Sequence, residues 1–153
     1  NKGAKKGSTG AWSIGLPIDL PFETDANSHL DVKSQHRRFS SRLDEFMRIS
    51  HAVIVVPGGI GTLLELFYTW QLIQVDHIRQ RPFILLAEDG IWTAFLEWLE
   101  EWPLKQQLMS QSDFERIQVA SSVDQVIRLL EPDVARFRRD NKLKAPIVTE
   151  PKG

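Results

Sequence analysis

Two hydrophobic rhythms take turns along this chain. Residues 13–20 (SIGLPIDL) and 117–120 read as short strands, and residues 52–56 and 82–87 are continuous apolar runs. Runs of that length predict strands buried on both faces. Between them the period lengthens. In residues 35–49, Phe39, Leu43, Phe46 and Met47 recur at i, i+4, i+7 and i+8, which predicts a helix. Leu63, Leu66, Phe67, Trp70 and Ile73 form a second stripe, running to about Val75. A third helix is expected over residues 91–101, with Trp92, Phe95, Trp98 and Leu99 inward and Pro103 ending or kinking it. The helical region should continue over 104–110, and Ser122 should cap a last helix ending near Leu130. Residues 1–11 read as the end of a helix and a glycine-rich loop, and residues 21–34 as a polar loop.

Strands alternating with helices place the chain in the α/β class. The expected architecture is an open, mostly parallel sheet of Rossmann-like type, with right-handed crossovers and helices on both faces. Residues 1–131 form its domain, and residues 132–153 a basic tail, partly disordered or helical. Ligands of such sheets bind outside the carboxyl ends of the strands.

One such end carries the densest chemistry of the chain. The run Val53–Val56 enters Pro57-Gly58-Gly59-Ile60-Gly61-Thr62 and then the second helical stripe. Gly58, Gly59 and Gly61 permit positive φ and close approach to the backbone. The N–H groups of residues 59–63 are expected to face outward at a helix N-terminus, a setting that suits a phosphate without any lysine. No Gly-Lys-Ser/Thr follows, so the Walker motif does not fit, and the third position of the dinucleotide fingerprint is Leu64. A tight strand-to-helix turn with no ligand would give the same spacing.

Glu65 has two readings. Thr62-Leu63-Leu64-Glu65 matches a capping box, in which the carboxylate bonds back to the Thr62 N–H. The same carboxylate one turn into the helix would also lie beside a phosphate-bearing substrate. Arg42, at the edge of the Phe39–Phe46 stripe, is either a snorkelling rim residue or a guanidinium aimed at substrate oxygens. The four histidines have no metal-ligand spacing, so no metal is expected; His29 and His36 are near enough to the polar loop to touch a ligand. The tryptophans read as packing.

Composition narrows the partners. A formal net charge of −1 over 153 residues gives no field to draw in nucleic acid or an anionic membrane. The absence of cysteine excludes disulfides and fits a reducing compartment. No apolar run approaches the ~20 residues of a membrane span, and the polar, basic opening has no signal-peptide pattern. A cytoplasmic location is expected.

These residues together resemble the LOG family of nucleoside 5′-monophosphate phosphoribohydrolases. The family's P-G-G-x-G-T-x-x-E stands here as Pro57 to Glu65. Its F-x-x-R stands as Phe39-Ser40-Ser41-Arg42, with Arg42 fifteen residues before Pro57 and Phe46 four beyond it. Similarity continues in Glu65-Leu66-Phe67, Leu72-Ile73-Gln74 and Arg81-Pro82-Phe83, and covers about residues 1–131. Family members carry a further βαβ portion ahead of this region, with a second glycine-rich loop, so the fold is expected to be truncated at its N-terminus. Leu64 replaces an acidic residue, Leu43 a lysine, and Asn27-Ser28-His29 an Asn-Pro-Tyr loop.

The resemblance implies hydrolysis of the N-glycosidic bond of a nucleoside 5′-monophosphate, releasing free base and ribose 5-phosphate. It implies catalytic roles for Arg42 and Glu65, a phosphate on Gly58, Gly59, Ile60, Gly61 and Thr62, a base or ribose contact at Phe46, no cofactor, and a homodimer with active sites near the interface. A non-catalytic nucleotide carrier or sensor is the alternative. Members of the family are often labelled lysine decarboxylases. Between Lys33 and Lys105 there is no lysine, so the motif region offers no Schiff-base residue for pyridoxal phosphate.

Overall fold

A computed structural model describes residues 2–7, 10–19, 28–87 and 90–141. The chain divides into two compact units, Asn1–Ser50 and His51–Gly153. Each holds a parallel sheet flanked by helices, an open α/β arrangement of the Rossmann-like type. Among the described residues no helix is long and apolar enough to cross a membrane.

The N-terminal unit contains α1 (Lys2–Gly7), β1 (Ile14–Gly15), β2 (Val32–Lys33) and α2 (Phe39–Ile49). β1 and β2 pair in parallel, Ile14 opposite Val32 and Gly15 opposite Lys33. The strand expected over 13–20 is therefore cut short. Pro17 has no N–H to give the ladder, so pairing resumes beyond it only as a bridge, Ile18 opposite His36. His36 N–H donates to the Pro17 carbonyl at 3.0 Å, and Asp19 N–H to the His36 carbonyl at 2.8 Å. This occupies the backbone through His36, and α2 accordingly begins at Phe39 rather than at residue 35. β2 lies inside the stretch read as loop; Val32 and Lys33 are both exposed, so pairing with β1 makes the strand rather than any apolar rhythm of its own. Leu20 and residues 21–27 of the loop expected over 21–34 lie outside the described residues.

The C-terminal unit contains β3 (Val53–Val55), α3 (Ile60–Gln74), β4 (Phe83–Leu86), α4 (Ile91–Leu99), a π-helical turn (Glu100–Leu104), α5 (Gln111–Phe114), β5 (Gln118–Ala120) and α6 (Val123–Asp140). The strands lie in the order β3-β4-β5, all parallel. Both crossovers step the same way across the sheet, so right-handedness puts α3 and α4 on one face. α6 covers the other, where Val126, Leu129 and Leu130 pack on Ile84, Leu86 and Ala120. β4, the central strand, buries Phe83, Ile84 and Leu85 completely. β3 does not match its expected two-sided burial. Val53 and Val55 are buried, but Ile54 is 40% exposed, because β3 pairs with β4 alone among the described strands and α6 packs over β4 and β5.

Several helix expectations change. Leu66, Trp70 and Ile73 are buried in α3 as expected, whereas Phe67 is 43% exposed and Thr69 takes the buried position. Trp92 and Leu99 are buried in α4, but Trp98 is 50% exposed. Pro103 neither ends nor simply kinks the helix: the hydrogen bonding widens around it, with Lys105 N–H donating to the Glu100 carbonyl at 3.3 Å. Turns replace the helix expected over 105–110, with Gln107 at φ 57°, and Ser110 then caps α5. Ser122 caps α6 through the Gln125 N–H, but the helix runs ten residues past Leu130 to Asp140, through Pro132. Its apolar stripe explains this. Val126, Leu130 and Phe137 continue the same face, and Phe137 packs edge-on against the His51 ring at 4.7 Å. Residues 142–153 of the tail lie outside the described residues.

Candidate functional site

The end of β3 is where the sequence places its chemistry, and the local backbone follows from the glycines. Gly58 is packed from within. A Cβ there would lie 2.1 Å from the Thr62 Oγ and 2.9 Å from the Thr62 Cβ, closer than atoms allow. Gly59 is the N-cap of α3, at φ −91° and ψ −154°, with no side-chain cap. None of the three turn glycines uses positive φ; among the described glycines only Gly90, at φ 72°, does. Their value is close approach rather than unusual dihedrals. Around Gly59 and Gly61 nothing lies within 4 Å of an added Cβ, so the first turn of α3 opens onto clear space.

The first bond inside α3 runs from the Leu63 N–H to the Gly59 carbonyl, at 3.1 Å. Leu63 thereby leaves the expected set of outward donors. The N–H groups of Ile60, Gly61 and Thr62 precede that bond and have no carbonyl of their own helix to meet. The first turn holds no acidic residue, so no carboxylate of that turn offsets the positive end of the helix dipole. This arrangement can bind an anion. Ile60 contributes only its backbone here, its side chain being 87% exposed.

The capping-box reading of Thr62 and Glu65 is overturned. The N-cap is Gly59 and Thr62 is the third residue of α3, so Glu65 sits on the second turn rather than at the cap. Its side chain is half-buried. Its carbonyl accepts the Thr69 hydroxyl at 2.7 Å.

Arg42 and Phe46 belong to the N-terminal unit, and the glycine turn and Glu65 to the C-terminal unit. Arg42 is anchored within its own unit. It is half-buried, and its Nε donates to the Leu16 carbonyl at 2.6 Å, just beyond β1. Phe46, one turn further along α2, is half-buried; its carbonyl accepts the Ser50 N–H at 3.2 Å and hydroxyl at 2.6 Å, which closes the helix. His36 is held by structure, its ring between the Ser34 and Ser41 hydroxyls at 3.3 and 3.4 Å. His29 is exposed.

Sequence reasoning missed a concave feature of the C-terminal unit. A cavity of about 250 Å³ opens among Phe67, Trp70, Trp98, Leu99, Leu108 and Asp113. Trp70 and Trp92 are core residues as expected, whereas Trp12, Trp98 and Trp102 are exposed. Leu64 and Phe67, also exposed, continue from Ile60 along α3 at i+4 and i+7, so an apolar stripe runs beside Glu65 toward the cavity. Glu65 itself is polar, and only the offset between this stripe and the buried one could have signalled the exposed face.

Residues 1–130 match the family model described as "Possible lysine decarboxylase". The chain is 27% identical over 124 residues to a cytokinin riboside 5′-monophosphate phosphoribohydrolase of Mycobacterium tuberculosis, covering 80% of this chain and 65% of that protein. It is 35% identical over 88 residues to a probable cytokinin riboside 5′-monophosphate phosphoribohydrolase of Oryza sativa subsp. japonica, covering 56% of this chain and 32% of that protein. The chain thus spans less than two thirds of either relative's length.

Proposed function

This chain belongs to the LOG family, the group described as possible lysine decarboxylases, and we propose that it serves the hydrolysis of a nucleoside 5′-monophosphate to free base and ribose 5-phosphate. The observation that carries the reading is the first turn of α3. Three N–H groups precede the first helical bond, nothing lies within 4 Å of an added Cβ at Gly59 or Gly61, and a carboxylate follows one turn on. A 5′-phosphate on Ile60, Gly61 and Thr62 would bring its ribose toward Glu65.

In the reaction the C1′–N bond breaks, a water oxygen bonds to C1′, and a water proton ends on the departing base. The transition state carries oxocarbenium-like positive charge on the ribose, as in glycoside hydrolysis. Glu65 stabilises that charge or orients the water. Arg42 takes the family's arginine role, holding substrate oxygens, and Phe46 contacts the base or ribose. No step needs a Schiff-base lysine, and residues 34–104 contain none. The family also implies a homodimer, for which the exposed Trp98 and Trp102 offer contact surface.

The test is product analysis. The full-length protein is incubated with AMP, CMP and an N6-modified AMP, and free base and ribose 5-phosphate are separated by chromatography. Equimolar base and ribose 5-phosphate are expected. Nucleotide binding by calorimetry with no base released would instead identify a carrier.

A further inference from the structure

Thr69 is wholly buried, at 0% exposure, in the middle of the face of α3 that also buries Leu66, Trp70 and Ile73. Packing alone does not call for a hydroxyl at such a position. Valine has nearly the same shape, and a buried hydroxyl is costly unless it is bonded. Here the Thr69 Oγ donates to the Glu65 carbonyl at 2.7 Å. That carbonyl is also the one the Thr69 N–H meets in a regular helix. Threonine bonding back to the i−4 carbonyl in this way draws on the same acceptor as the helix and often bends helices.

The bond falls at a consequential place. On one side is the buried half of α3, fixed against the sheet. On the other is the first turn, with the N–H groups of Ile60, Gly61 and Thr62 and nothing within 4 Å of an added Cβ at Gly61. Glu65 lies at the junction. We propose that Thr69 is a positioning residue, whose buried hydroxyl, through the Glu65 carbonyl, sets the direction in which the Glu65 carboxylate leaves α3 relative to the anion-binding turn. This rests on the reading that Glu65 is the catalytic carboxylate. Thr69 would touch neither substrate nor water and would act through the residue one turn before it.

The experiment is a double-mutant cycle in the full-length protein, read by base release from AMP. Thr69→Val removes the hydroxyl and keeps the shape. It is expected to lower kcat by about 10-fold while KM stays within about 2-fold, because geometry at the reacting centre is disturbed and phosphate binding is not. Thr69→Ser restores the hydroxyl and should recover most of kcat, although it loses a buried methyl. In a Glu65→Gln background Thr69→Val should add nothing, since the group it positions is already gone. A wild-type kcat in Thr69→Val, or an equal further loss in the Glu65→Gln background, overturns the role of Thr69 and leaves the proposed reaction standing. No base release by the wild-type protein overturns both.

Discussion

Thr62 folds back over Gly58 so closely that a methyl group at Gly58 would lie 2.1 Å from the Thr62 Oγ. The second neighbour, the Thr62 Cβ at 2.9 Å, is fixed to the helix backbone and cannot swing away. Gly58→Ala should therefore push the first turn of α3 off the end of β3. Overpacking of this kind costs about 1–3 kcal/mol, and urea denaturation should show a loss in that range.

Gly61 should respond with the opposite sign. It lies inside α3 with clear space around it, and alanine is favoured over glycine in a helix by about 1 kcal/mol. Gly61→Ala is expected to raise the urea midpoint. The same methyl would stand over the N–H groups assigned to the phosphate, so the KM for AMP should rise by about 10-fold, roughly the loss of one good hydrogen bond. A more stable protein with an unchanged KM would remove the phosphate from this turn.

Arg42 couples α2 to the end of β1 through its Nε and the Leu16 carbonyl. A hydrogen bond from a charged donor contributes roughly 1.5–3 kcal/mol, and Arg42→Ala should lose about that much stability along with turnover. Arg42→Lys keeps the charge but not the planar fork that points one N–H at Leu16. It should recover little of either, as base release and denaturation together would report.

Acid should act on the C-terminal unit through Asp113. The Ser110 hydroxyl, then the Ser110 N–H and the Gln74 amide, hold its carboxyl below the ordinary aspartate value, with Arg116 adding attraction. A carboxyl lowered on folding adds stability that is complete above its unfolded pKa of about 3.9 and is lost as pH falls through the lower folded value. Stability measured by urea from pH 5 down to pH 2 should therefore fall. In Asp113→Asn the fall should be shallower, and the variant should already be weaker at pH 7.

Much of this site is legible in the sequence because it is local. The run from Pro57 to Glu65 fixes a strand end, a turn and a helix start within a few residues, and the spacing of Leu66, Trp70 and Ile73 fixes which side of α3 is inward. What was not legible depends on distant partners. β2 exists because β1 lies beside it, and Val32-Lys33 has no apolar rhythm to announce that. The capping box failed because Gly59, with no side chain, starts α3 three residues before Thr62. α6 passes Pro132 because Phe137 continues the packed stripe beyond it. Arg42 could be placed on a helix edge from its spacing, but its bond to Leu16 joins positions 26 residues apart.

In the proposed reaction Glu65 is the carboxylate on which cleavage depends, through the transition-state charge it stabilises or the water it orients. The most direct measurement of this dependence is single-turnover base release from AMP by the full-length protein and by Glu65→Gln, with binding followed in parallel by calorimetry. Glutamine keeps the size and removes the charge, so AMP should bind within a few-fold while the cleavage rate falls by ~100-fold or more. A Glu65→Gln variant that releases base at the wild-type rate would contradict the account.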